Sequence, residues 1–279
     1  MIRLLLSAFL VLSSLTAAEP ENWNQPFPAH KVAGNLYYVG TADLACFLIA
    51  TPKGHILINS GLAESTPLIR KSVTDLGFRF EDIRLLLTTQ AHFDHTAALA
   101  EIQKLTGAKM AATAPDAPLL EDGGTSDYLF GARYRFAAVK VDRILKDGEV
   151  IEQGGTKLTV RLTPGHTKGS ATYTLDEVEA GRTYHVVIVN MGSINPGTKL
   201  VNNPKYPQIA SDFARTFEVQ KALPCDIWVA SHASQYNLAK KYKPQYDAAN
   251  FVDPEGYKAA VARYEAEYRR QLAEQQRKL

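Results

Sequence analysis

The residues best equipped for chemistry stand in one run, Thr88-Thr89-Gln90-Ala91-His92-Phe93-Asp94-His95. Imidazole nitrogens and a carboxylate oxygen are the donors that zinc takes. Gln90, His92 and Asp94 lie two residues apart, so an extended segment would turn them the same way, and His95 must then point elsewhere. One short run is thereby expected to serve two adjacent metal ions. The same residues would also suit a hydrogen-bonded helix start capped by Asp94 or Thr96. The His-x-Asp-His pattern favours metal, because histidine is the commonest metal ligand and carboxylates complete such sites. Two further histidines have a similar setting. His166 lies in Thr163-Pro164-Gly165-His166-Thr167-Lys168-Gly169-Ser170 and His232 in Ser231-His232-Ala233-Ser234. Each follows an apolar, strand-like run, and loops at strand ends are where chemistry is usually placed. His30, His55 and His185 lack that setting and are read as structural.

Elements must bring these loops together. Residues 36–40, 44–50 and 55–59 read as short strands, the last two joined by the Pro52-Lys53-Gly54 turn. Residues 64–76 read as a helix ended by Gly77, and 84–88 as an apolar strand suited to a sheet buried on both faces. Residues 96–105 read as a helix with Ala98, Leu99, Ile102 and Leu105 on one face and Gly107 past its end. Residues 156–163, 171–175, 183–189 and 227–230 return to strand, 206–222 to helix. The chain closes with an amphipathic helix over 256–279, whose stripe of Tyr257, Val261, Tyr264, Tyr268 and Leu272 is expected to pack on the core. The polar-aromatic segment 122–136 follows no period. It is expected to overhang the cleft, with Tyr128, Leu129 and Phe130 as apolar contact surface, and Trp23 is a second candidate there. The whole reads as one α/β domain over 19–279, with two similar halves that each pair a sheet with helices.

Composition adds exclusions. The 279 residues are 46% hydrophobic and carry a formal charge of +2, with no basic stripe of the kind a nucleic-acid binder shows. The start, Met1-Ile2-Arg3 followed by apolar residues and then Thr16-Ala17-Ala18, reads as a signal peptide over 1–18 that sends the protein to the periplasm. Its apolar run is shorter than the roughly 20 residues of a membrane span, so no anchor is expected. Cys46 and Cys225 both sit in apolar stretches and read as free thiols, although export permits a disulfide. A monomer acting on a small molecule is expected.

Together these motifs resemble the metallo-β-lactamase superfamily, whose signature is His-x-His-x-Asp-His after a strand. The resemblance runs from about Val32 to about Leu238. The stretches 163–170 and 231–235, with Asn59-Ser60-Gly61, are similar to subclass B3. Gln90 stands where the first His of the signature is expected. Gln at that place, with Asn190-Met191 and the run 36–40, resembles the GOB-type group. The resemblance implies an αββα sandwich and two zinc sites, Gln90/His92/His166 and Asp94/His95/His232. Gln90 offers only a neutral amide oxygen, so the first site is expected to be the weaker and the second to fill first. It further implies hydrolysis of a β-lactam amide by metal-bound hydroxide, oriented by Asp94 as catalytic residue, and resistance to β-lactam antibiotics. Ser193 matches the place that contacts the substrate carboxylate, while Met191 is expected only to pack. The sequence holds no Ser-x-x-Lys run, which argues against a serine lactamase. Lactone, thioester or phosphodiester hydrolysis on the same scaffold is the alternative, and a zinc-binding protein without turnover a second one.

Overall fold

The computed structural model describes residues 20–279, so the expected signal peptide lies outside the described residues. Twelve strands among them form two sheets. In the first, neighbours follow chain order: β1 (His30–Ala33), β2 (Leu36–Tyr38), β3 (Phe47–Ile49), β4 (His55–Ile58), β5 (Ile83–Leu87), β6 (Lys109–Thr113) and β7 (Arg143–Leu145). β1 to β4 pair antiparallel, and β4 to β7 parallel. The second sheet holds β8 (Val150–Gln153), β9 (Thr156–Leu162), β10 (Ala171–Glu179), β11 (Arg182–Val189) and β12 (Ile227–Ala230), again in chain order. All its pairs are antiparallel except β11 with β12. The helices are α1 (Thr66–Asp75), α2 (Phe93–Thr96), α3 (Leu99–Thr106), α4 (Ala117–Glu121), α5 (Ile209–Ala222), α6 (Leu238–Lys241) and α7 (Pro254–Gln276).

The period of two along a strand accounts for the layers. Phe47 and Ile49, Ile56 and Ile58, and Leu85 and Leu87 all turn into the space between the sheets, where they meet Val160, Tyr173 and Val186. The residues between them, Leu48, Leu57 and Leu86, turn outward onto Ile69 and Val73 of α1, Leu99 and Ile102 of α3 and Leu120 of α4. β5 is apolar on both faces because both are covered, the condition for a parallel sheet. On the far side, Phe213 and Phe217 of α5 and Tyr257, Val261 and Tyr268 of α7 pack into the core of the second sheet. The sequence is therefore helix layer, sheet, sheet, helix layer, the expected αββα sandwich.

Several elements differ from the sequence reading. β1, β6, β7 and β8 were not expected. The helix expected over 96–105 begins at Leu99 as α3, a separate short helix α2 precedes it, and Gly107 at φ +70° ends α3. This eight-residue helix buries Leu99 and Ile102, but Leu105 on its last turn remains 47% exposed. Both thiols are free, Cys46 buried and Cys225 partly so. Among the described residues no helix is long and apolar enough to cross a membrane.

Candidate metal centre and cleft

Three strand exits converge. β5 leads into 88–92 and then α2, β9 into 163–170, and β12 into His232. Asn59, at φ +65° just past β4, braces the first loop, its Oδ1 accepting from the Thr89 amide (2.9 Å). Asp116 ties the first loop to the second: its carboxylate accepts from the Ala91 amide (3.1 Å), the Gly169 amide (2.7 Å) and the Thr167 hydroxyl (2.6 Å). Gly169 is required at this crossing, because a Cβ there would stand 2.2 Å from Thr113 Oγ1 and 2.6 Å from the Asp116 amide. The third loop is joined to the segment before β3 by backbone bonds from Ala45 to Ser231 (3.0 Å) and from Ala233 to Asp43 (2.7 Å).

Of the six expected ligands, Asp94, His95 and His232 form one group, His92 and His166 face each other, and Gln90 lines the same cleft. Asp94, His95 and His232 offer ligand atoms that all lie within 4.8 Å of one another. Asp94 Oδ2 is 3.1 Å from His95 Nε2 and 3.4 Å from His232 Nε2. In the other group, His92 Nδ1 faces His166 Nε2 at 3.1 Å, and the Gln90 amide oxygen is buried with no hydrogen-bond partner. The spacing of Gln90, His92 and Asp94 suggests one extended segment. Instead the helix begins at Phe93, and its first turn presents Asp94 and His95.

Outer partners fix which nitrogen of each ring is free. A carboxylate or carbonyl oxygen facing an imidazole nitrogen accepts from it, so that nitrogen carries the hydrogen. His92 Nε2 donates to Asp127 Oδ2 (3.2 Å), His166 Nδ1 to the Ser193 carbonyl (2.8 Å), and His232 Nδ1 to Asp43 Oδ2 (3.1 Å). His92 Nδ1 and His166 Nε2 therefore aim lone pairs at each other. That contact is unfavourable without a cation, and two ligand nitrogens of a tetrahedral zinc lie about 3.3 Å apart. In the other group His95 is fully buried, its Nε2 facing Asp94 Oδ2 and its Nδ1 without a hydrogen-bond partner, so that ring too sits among donors that suit a cation. The donors thus fit two divalent ions of zinc type.

The electrostatics separate His166 and His95 from His232, whose ring must give up a proton before it can ligate. Burial, reinforced by His92, pushes the His166 imidazole down to about 3, and burial holds His95 below its ordinary value as well. Both rings are thus neutral, as ligands must be. Burial also opposes charge on His232, but hydrogen bonds to Asp43 and Asp94 outweigh it and push that ring up to about 9. Burial likewise opposes ionisation of Asp94, and His95 and His232 overcome it and hold the carboxyl well below its usual range.

A cleft of about 510 Å³ opens over both groups. Trp23, Phe93, Phe130 and Tyr134 wall it. Tyr134 stacks on Phe93 (4.7 Å between centroids), Phe130 meets His92 edge-on (5.2 Å), and Trp23 leans on His232 (5.8 Å). Of the three side chains expected to overhang it, only Phe130 does so. Tyr128 is buried against Tyr206, and Leu129 packs on the core. Ser193 and Asn190 line the wall, and Met191 is buried, as packing alone requires. Arg133 is the one cationic lysine or arginine side chain among the lining residues, held over the Tyr134 ring at 5.1 Å. No motif in the sequence marks Asp43, Asp116, Asp127 or Arg133. His30, His55 and His185 lie elsewhere: His30 stacks on Tyr38, His55 packs on Phe78, and His185 pairs with Asp176 on the surface.

Residues 43–178 match the Metallo-beta-lactamase superfamily. The chain is similar to the class B3 di-zinc metallo-β-lactamase LRA-12 from an Alaskan soil metagenome, 43% identical with a TM-score of 0.89, covering 91% of this chain and 98% of that one. It is similar as well to the metallo-β-lactamase GOB-18 from Elizabethkingia meningoseptica, 42% identical with a TM-score of 0.89, over 96% of this chain and all of that one. A hydroxyacylglutathione hydrolase of Methylobacterium nodulans is 30% identical over 105 residues. That match spans only 33% of the hydrolase and 38% of this chain. The chain belongs to the metallo-β-lactamase superfamily of hydrolases.

Proposed function

We propose that this is a subclass B3, GOB-type metallo-β-lactamase, a zinc enzyme that hydrolyses the β-lactam amide in the periplasm and so confers resistance to those antibiotics. The observation that carries the reading is the pair of donor groups, one with opposed imidazole lone pairs and one around Asp94, side by side under an aromatic cleft. Gln90, His92 and His166 would hold one ion, and Asp94, His95 and His232 the other. Zinc at such a site supplies a nucleophile from water at neutral pH and polarises a carbonyl.

The remaining work belongs to the chain. Asp94 has its Oδ2 directed at His95 and His232, and its carboxylate would orient the attacking water by accepting a hydrogen bond from one of that water's protons. As the water oxygen adds to the carbonyl carbon and the C–N bond breaks, that proton passes to the departing nitrogen. The aromatic wall receives the apolar part of the substrate and keeps bulk water out. Ser193 and Arg133 both line this cleft, where the Ser193 hydroxyl would bind the substrate carboxylate and Arg133 would supply positive charge. The reading takes 19–279 as one hydrolase domain, acting as a monomer on a small molecule.

Thioester hydrolysis is the second reading, favoured by the partial likeness to a hydroxyacylglutathione hydrolase. The deciding experiment compares kcat/KM of the zinc-loaded mature protein on a carbapenem, a cephalosporin and an acylglutathione thioester. The proposal expects the β-lactams to lead by 100-fold or more, and a thioester lead of that size would replace it with the second reading.

A further inference from the structure

The two donor groups differ in charge. Asp94 gives the second group a carboxylate, and Asp43 backs its His232. Gln90, His92 and His166 carry none. The carboxylate hydrogen-bonded to this neutral group is Asp127, which comes from the loop over the cleft. Its Oδ2 accepts from His92 Nε2 (3.2 Å), while its Oδ1 accepts from the amides of Leu129 (2.8 Å) and Phe130. One side chain thus orients a ligand ring and folds the turn that carries Phe130. The Phe130 ring returns to His92, and Tyr134 bridges Phe130 (5.1 Å) and Phe93 (4.7 Å). A residue further on, the Tyr128 hydroxyl donates to the carbonyls of Gly165 (3.3 Å) and His166 (3.2 Å). The loop is therefore fastened to both histidines of the neutral group, and none of these hydrogen bonds reaches Asp94, His95 or His232.

A carboxylate on the outer nitrogen of a ligand imidazole fixes its tautomer and raises its basicity, and its loss costs 10–100-fold in metal affinity. Here the same carboxylate also holds two loop amides, so the two events share one group. We propose that Asp127 is a positioning residue that offsets the weak Gln90 donor and couples zinc binding at Gln90/His92/His166 to ordering of the loop 125–136. Because coupling of two equilibria is reciprocal, zinc at that site orders the loop, and contacts that hold the loop tighten the zinc. The inference rests on the zinc-site reading above.

The test uses the full mature protein and zinc alone. Stepwise zinc affinities are measured by competition with a chromophoric chelator, and amide hydrogen exchange over 125–136 is followed with and without metal, in wild type, Asp127→Ala, Asp127→Asn and Gln90→His/Asp127→Ala. The expected result is that Asp127→Ala loses about 10–100-fold in affinity at one site only, with the other unchanged. Asp127→Asn, which keeps an acceptor for His92, loses less. Zinc slows exchange of the Leu129 and Phe130 amides in wild type and not in Asp127→Ala. Gln90→His restores the affinity of the alanine variant without restoring protection of the loop. Equal weakening of both sites, or wild-type exchange at 129–130 indifferent to zinc, overturns the coupling while leaving two zinc sites standing. Wild-type protein that binds no zinc overturns the site reading itself, and the coupling with it.

Discussion

At the scale of single residues, the expected ligands owe their legibility to position. Gln90, His92, Asp94, His95, His166 and His232 each stand just past a strand, and a sequence shows both the residue and the apolar run before it. The carboxylates behind them are not legible in the same way. Asp43 reaches His232 across 189 positions, and Asp127 reaches His92 across 35. Nothing next to either marks it, because its partner arrives only through folding. The buried and unpartnered Gln90 amide oxygen leads to a direct prediction. Gln90→His replaces a neutral oxygen donor by imidazole and should tighten the Gln90/His92/His166 site by about tenfold or more. Chelator competition reads this out, and unchanged affinity would mean that the side chain at position 90 does not ligate.

At the scale of elements, the strands that period and flanking turns describe well are those buried on both faces, β4, β5 and β12. The missed strands lack that signal. β6 is Lys-Met-Ala-Ala-Thr, poor in β-branched and aromatic residues, and β7 leaves Arg143 and Ile144 exposed. Their strand state comes from pairing with a neighbour, and tertiary context of that kind overrides propensity. The short helix α2 ahead of the expected one has functional weight, since its first turn presents Asp94 and His95 to the second donor group. Loop shape is equally demanding after β9. Gly165 has φ +130°, and a Cβ there would stand 2.7 Å from the buried Phe213 ring of α5. Gly165→Ala should cost about 3 kcal/mol through strain and overpacking. The shift of His166 should also lower zinc affinity. Thermal unfolding and chelator competition measure the two effects, and a variant as stable as wild type would show that the loop relaxes freely.

At the scale of the whole molecule, the two sheets are joined at the end away from the cleft as well. Glu177 of β10 packs beneath the β1–β2 turn, its Oε2 accepting from the Asn35 amide (3.1 Å) and its Oε1 buried without a partner. Burial is the chief cause that raises its carboxyl to about 7, against the opposing Asn35 bond and Lys31. The unfolded chain titrates near 4.5, so the folded state binds the extra proton between the two values. Stability should then be greatest, for this group, below about pH 4.5, fall as pH rises to about 7, and stay constant above. Glu177→Gln should remove that fall and stabilise the protein at pH 8 by about 2 kcal/mol, allowing for partial screening by solvent. Denaturant unfolding at pH 4.5 and 8 tests it, and equal pH dependence in variant and wild type would contradict the assignment.

The central claim, that these six residues hold the zinc on which β-lactam hydrolysis depends, is tested most directly by titrating zinc into metal-free mature protein. Bound metal and hydrolysis of a cephalosporin are recorded at each step. The account predicts no turnover without metal. Hydrolysis should appear as zinc is added, with His232→Ala losing the tighter step and Gln90→His strengthening the weaker. Hydrolysis that persists in metal-free protein, or zinc bound in both steps with no turnover of any β-lactam, would contradict it.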